Sequence, residues 1–201
     1  MAALRSSRVI DRRSREHLTP AEIDRLIAEA QQLGRHGQSG ATMILLAYRH
    51  GLRVSELVSL RRKQPNLRLN PLYTRRRRTG CPPPTHPLRG PELRALREVL
   101  RNYPEIAYVF ISERRARMSA ANFRKLLARA GDATKLGTPI DPHMFRHSTG
   151  FKLANDGQDI GAIRHYLGHK NTQHTLLYAE RARPLKGLTH RRLRRRITPT
   201  H

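Results

Sequence analysis

The sequence predicts a mainly α fold, α+β at most, with a small antiparallel sheet. Apolar residues recur at helical spacing in about seven segments, as with Ile23, Leu26, Ile27 and Leu33. Several segments open on a capping side chain, and several close on glycine. Strand-like patterning is confined to two short tracts, one around Leu67 and Leu69 and one in the run YVFIS at 108–112.

The elements follow in order. Residues 1–16 are rich in arginine and serine and read as a flexible basic arm. The first helix starts at Thr19, with Pro20 at its first position and Glu22 as the acid of a capping box, and Gly34 ends it. SGATMILLAYRHG at 39–51 is a largely buried second helix closed by Gly51, and RVSELVSL at 53–60 restarts a helical turn. Alternation at Leu67 and Leu69, then a turn at Asn70–Pro71, marks a hairpin, while Pro82–Pro84 are incompatible with a central strand. GPELRALREVLRNYP is the next helix, and YVFIS a short strand or an extended buried run. Further helices begin at Ser119, Asp141, Asp159 and Asn171, with Pro142 at the first position after Asp141. The chain closes on a basic tail, 183–201.

Charge restricts the function. Forty Lys and Arg oppose fifteen Asp and Glu, a formal charge of +25. Such a chain seeks polyanions, and nucleic acid is the first partner to consider. Charge alone also fits a ribosomal or other structural RNA-binding protein. No apolar run has the length of a membrane span, and the basic N-terminus lacks the apolar core of a secretory signal. Cys81 is the single cysteine, so no intramolecular disulfide forms and the cytoplasm, with its nucleoid, is the expected compartment.

Histidine, arginine and tyrosine gather between His143 and Glu180. His143 and His147 are four apart, as are His165 and His169, a spacing zinc ligands use. Arg146 lies within the first pair and disfavours a second cation there. Neither metal nor cofactor is implied. A phosphate site suits the same residues better, because guanidinium stays charged and grips phosphate with a fork of donors. Arg53 and Arg146 are the candidates, with Glu56 one turn after Arg53 to orient it. Arg53 and Glu56 also fit an ordinary surface pair of little energetic weight. Tyr178, in the apolar turn TLLYAE, fits either a core position or a nucleophile activated by nearby cations.

In order, GLRVSEL, HMFRH, LGHKN and TLLYA resemble the motifs of the tyrosine recombinases, the phage-integrase family. Arg146 lies 23 residues before His169, and His169 lies 9 before Tyr178. The resemblance covers residues 17–182, read as a catalytic domain. The short chain and THPL after the hairpin are most like the small fimbrial-phase-switch recombinases. The resemblance implies a site-specific recombinase that integrates, excises or inverts DNA through a 3′-phosphotyrosyl intermediate. It implies Tyr178 as nucleophile, Arg53 and Arg146 as phosphate clamps, His169 as a hydrogen-bond donor and His143 as an aid to proton transfer. Glu56 is then a supporting acid. Arg12, Arg13, Arg75, Arg76, Arg77 and Lys170 are the expected DNA contacts. Double-stranded DNA is the implied partner, and a homo-oligomer, a tetramer on paired sites, the implied assembly. One position departs from the family. Its hairpin carries a lysine as general acid, whereas Arg77 or Arg78 stands here, and arginine does not readily release a proton. That departure keeps a second reading open, a recombinase-like DNA-binding protein impaired in cutting.

Overall fold

The computed structural model describes residues 15–74, 85–102, 106–168, and 175, 176 and 178. Among the described residues the chain folds into seven α-helices and one two-stranded antiparallel sheet, the class the sequence predicts. Helix α1 (Pro20–Gln32) has the expected capping box, with the Glu22 amide donating to Thr19 Oγ1 and the Thr19 amide donating to the Glu22 carboxylate. A 3-10 turn, Gly34–His36, leads into α2 (Gly37–His50). This helix is buried along nearly its whole length. It packs against α1, α4 (Gly90–Asn102) and α6 (Pro142–Asn155), while α5 (Ala120–Thr134) packs against α1. Its central place explains why apolar and small residues dominate it on every face.

Asp141 caps α6 through the His143 amide, with Pro142 at the first position as expected. Two hydroxyls then staple α6 in place. Ser148 Oγ accepts from the Leu18 amide at 2.8 Å, and Thr149 Oγ1 bonds to the Tyr48 carbonyl of α2. Asp159 caps α7 (Ile160–Leu167) through Ala162, and α7 packs on α6. Around the end of α7, Phe151, Ile163, Leu167 and Tyr178 form a second, smaller apolar cluster.

The sheet is where sequence and structure part. Leu67 and Leu69 are not in a strand, and Leu69 is 77 % exposed. The Asn66 side-chain oxygen accepts from the amides of Arg68 and Leu69 and bends the chain into a turn. This local bond outcompetes extended pairing. The strands lie further on, β1 (Pro71–Tyr73) and β2 (Thr85–Pro87), with Leu72 opposite His86. Of the two readings of YVFIS, the structure shows not a strand but the extended buried run. It makes isolated bridges, Tyr108 with Arg61 and Ile111 with Arg117, while Val109, Phe110 and Ile111 are buried. Its apolar run reflects burial rather than a full ladder. Pro82–Pro84 and the helix expected after Asn171 lie outside the described residues, apart from the helical positions 175, 176 and 178.

His50 ends α2 and is 2 % exposed. Burial, aided by the Arg49 charge, pushes its pKa from 6.5 down to about 4. The unfolded chain therefore binds more protons between those values, so stability falls as pH drops from 6.5 towards 4. The contribution lost is about 3 kcal/mol. Denaturant midpoints measured across this window should fall less steeply for His50→Asn than for the parent chain. Parallel curves would sink the assignment of the acid sensitivity to His50.

Candidate active site

Two arginines converge on the backbone where α2 and α7 end. Gly51 closes α2 with φ +58°. A Cβ there would lie 2.4 Å from Leu167 Cδ2, so glycine serves both the left-handed turn and the close approach of α7. The turn delivers Arg53 to the start of α3 (Val54–Val58) as its N-cap residue. Glu56 reaches back, accepting from the Arg53 amide at 2.8 Å and from its guanidinium at 3.2 Å. The guanidinium also donates to the Gly168 carbonyl at 3.1 Å. An ordinary surface pair would not reach across 115 residues of sequence, so Arg53 is a built-in part of this corner.

Arg146 comes to the same corner from α6. It is 6 % exposed, and its guanidinium donates to the Gly51 carbonyl at 2.6 Å and to the Leu167 carbonyl. The two arginines thus hold consecutive carbonyls, Leu167 and Gly168. These bonds compensate the cost of taking a charge out of water. A guanidinium has five N–H donors, so two carbonyls do not exhaust it. The result is a concentrated positive corner with planar donors, matched to the oxygens of a phosphate.

Tyr178 is 2 % exposed in the adjoining cluster. Its ring packs edge-on to Phe151, with centroids 5.1 Å apart, and its hydroxyl lies 3.1 Å from His147 Nδ1. Burial raises the phenol to about 12, against the lowering effect of the Arg146 charge, and Glu16 adds to the rise. The phenol is therefore neutral and sheltered in this arrangement. Gly150 forms the floor of the seat, because a Cβ there would lie 2.4 Å from Tyr178 Cε2. Gly150→Ala should push the ring out and destabilise the domain by about 1–3 kcal/mol. Limited chymotrypsin digestion should then cut after Tyr178 faster than in the parent chain, and an unchanged digestion rate would show the seat to be misassigned.

Of the sequence-predicted residues, Arg53, Glu56 and Arg146 come together, with Tyr178 in the neighbouring cluster. His143 is exposed at the first turn of α6. His169, Lys170, Arg75, Arg76, Arg77, Arg78, Arg12 and Arg13 lie outside the described residues. Sequence reasoning missed His147 as the partner of Tyr178, having weighed it only as a possible zinc ligand beside His143. Its place directly after Arg146 was the available signal.

This fold and corner belong to a known class. Residues 16–183 match the phage integrase family. The chain belongs to that family, the tyrosine recombinases, and is a site-specific recombinase that breaks and rejoins DNA with a tyrosine nucleophile. It is 37% identical over 173 residues to type 1 fimbriae regulatory protein FimB of Escherichia coli (strain K12), covering 84% of this chain and 86% of FimB. Type 1 fimbriae regulatory protein FimE of the same strain is 35% identical over 184 residues, covering 88% of this chain and 92% of FimE. The crystal structure of XerA recombinase superposes with a TM-score of 0.72 at 22% identity, over 83% of this chain and 60% of that one, and shares the fold. These comparisons lend no support to the non-cutting alternative. Among the described residues, no helix is long and apolar enough to cross a membrane.

Proposed function

We propose that Tyr178 is the nucleophile of this recombinase and that Arg53 and Arg146 clamp the scissile phosphate of double-stranded DNA. The observation that carries this reading is the convergence of both guanidiniums on the carbonyls of Leu167 and Gly168, beside the cluster that seats Tyr178. In the first step the Tyr178 oxygen bonds to phosphorus and the bond to the 5′ oxygen breaks. The phenolic proton goes to a base that His143 assists, and the leaving oxygen takes up a proton to become a 5′-hydroxyl. Negative charge gathers on the nonbridging oxygens, where Arg53, Arg146 and His169 stabilise it. Glu56 orients Arg53. In the second step a 5′-hydroxyl of the partner strand attacks the phosphotyrosine, releasing Tyr178 and conserving the number of phosphodiester bonds.

In this reading residues 17–182 are the catalytic domain, and the flanking 1–16 and 183–201 are cationic tethers. Arg12, Arg13, Arg75, Arg76, Arg77 and Lys170 neutralise backbone phosphates, so duplex affinity falls steeply with salt. Arg78 is the supporting cation in this reading, where the family carries its lysine. Four copies act on paired sites in the cytoplasm, at the nucleoid. The outcome is integration, excision or inversion of a DNA segment, and the likeness to FimB and FimE, both named as type 1 fimbriae regulatory proteins, supports a role in which that rearrangement regulates gene expression.

The test is covalent trapping. Purified protein is mixed with nicked duplexes made from the DNA flanking its own gene and run on a denaturing gel. An adduct is expected. A salt-sensitive duplex shift with no adduct on any of these substrates counts against Tyr178 as a working nucleophile.

A further inference from the structure

Two buried histidines and one half-buried tyrosine meet where α2, β2 and α7 come together. His50 is the last residue of α2, His86 the middle residue of β2, and Tyr166 the penultimate residue of α7. His86 is 0 % exposed. His50 Nδ1 lies 3.2 Å from the Tyr166 hydroxyl, and that hydroxyl donates to the Arg49 carbonyl at 3.3 Å. Both contacts are satisfied at once when His50 Nδ1–H donates to the phenol oxygen and the phenol hydrogen goes to Arg49. The His86 ring stands edge-on to both others, with centroids 5.4 Å from His50 and 4.6 Å from Tyr166.

As packing material this trio is a poor choice. Burying imidazoles and a phenol costs more than burying leucines of similar size unless each polar atom is matched. His50 Nε2 has no hydrogen-bond partner among the described residues. What polar groups add over apolar ones is direction, because a hydrogen bond fixes angle and register where apolar contact permits sliding. The Arg49 carbonyl is one of the four at the end of α2 that the helix itself leaves unpaired. Tyr166 therefore caps α2 from another element.

The consequence lies in what each element carries next. Three residues after His50 comes Arg53. Two residues after Tyr166 comes Gly168, whose carbonyl receives the Arg53 guanidinium. The segment joining β1 to β2 holds Arg75–Arg78.

We infer that His50, His86 and Tyr166 are positioning residues, a polar knot that sets Arg53, the α7 terminus and the β1–β2 pair in one register without touching DNA. The inference rests on Arg53 as a phosphate clamp. The knot fixes the angle at which the clamp meets the phosphate, and small errors of placement cost much of a rate that depends on preorganised donors.

Tyr166→Phe tests it, because the ring stays and only the hydroxyl leaves. The single-turnover rate of adduct formation on nicked duplex should fall about tenfold, the effect of one lost hydrogen bond. Duplex affinity should stay within about twofold, because the phosphate-neutralising charges are unchanged. Amide hydrogen exchange reads the same coupling with no cleavage required. The amides of Leu57 and Gly168, bonded to the carbonyls of Arg53 and Arg164, should exchange faster, while Ile44 in the middle of α2 should not. Unchanged exchange at Leu57 and Gly168 would overturn the proposal, as would uniform acceleration that includes Ile44, which marks plain loss of stability. If the parent protein forms no adduct, the nucleophile and clamp assignments fail, and the exchange pattern alone decides for or against the knot. Tyr166→Leu, which also removes the ring, should lower the rate further, and a rate equal to that of Tyr166→Phe would exclude His86 from the knot.

Discussion

Tyr178→Phe is expected to form no covalent protein–DNA adduct while still shifting duplex DNA with the parent's affinity. The substitution removes one oxygen. The ring keeps its edge contact with Phe151 and its close seat over Gly150. The folded state loses the contact to His147 at 3.1 Å, worth about 1 kcal/mol. Chemistry loses everything, because no other atom at that position can bond to phosphorus. The adduct yield should drop by at least about a thousandfold. A denaturing gel with parent and variant side by side gives the answer. An adduct of normal yield in the phenylalanine variant would move the nucleophile elsewhere in the chain.

Arg146→Ala should damage both fold and reaction. The guanidinium is buried and holds the carbonyls of Gly51 and Leu167. Its removal leaves both without that donor, at about 1–3 kcal/mol each. In the proposed site it also removes one of the two fixed charges that clamp the phosphate, which should lower the cleavage rate by about a hundred- to a thousandfold. Arg146→Lys separates the two effects. An ammonium keeps the charge but lacks the planar fork, so it should recover part of the stability and little of the rate. Denaturant midpoints and single-turnover cleavage, measured on both variants, check this. Full recovery of rate by lysine would show that charge alone suffices and that the fork geometry is irrelevant.

The helical frame was legible in the sequence because its signals are local. Thr19, Ser119, Asp141 and Asp159 each cap the helix that follows, as their side-chain chemistry dictates. The order of Arg53, Arg146 and Tyr178 along the chain was legible as a motif. What was hidden depends on long-range geometry. That Arg53 grips Gly168 and that His147 faces Tyr178 are contacts between residues 115 and 31 apart, with no periodicity to announce them. The hairpin was misplaced because Leu67 and Leu69 mimic an alternating strand while Asn66 folds the same residues into a turn. The buried histidines gave no signal of burial either: His50, followed by Gly51, reads equally well as an exposed helix end, and His86 stands between Thr85 and Pro87 in a short tract with no clear periodicity.

The Tyr178 seat sits next to the entry of the chain into the domain. His17 stacks on Phe151 with centroids 4.2 Å apart, and Phe151 in turn meets Tyr178. Leu18 is held to Ser148 one turn away on α6. The cationic sequence before Arg15 and that after Tyr178 are therefore moored at neighbouring points. Tethers with a common mooring share an effective concentration, so a polyanion caught by one is presented to the other at no further cost in translational freedom. For the DNA contacts proposed in these flanks, the combined grip then grows more steeply than the sum of two separate arms, and shortening either one is expected to weaken the hold of both.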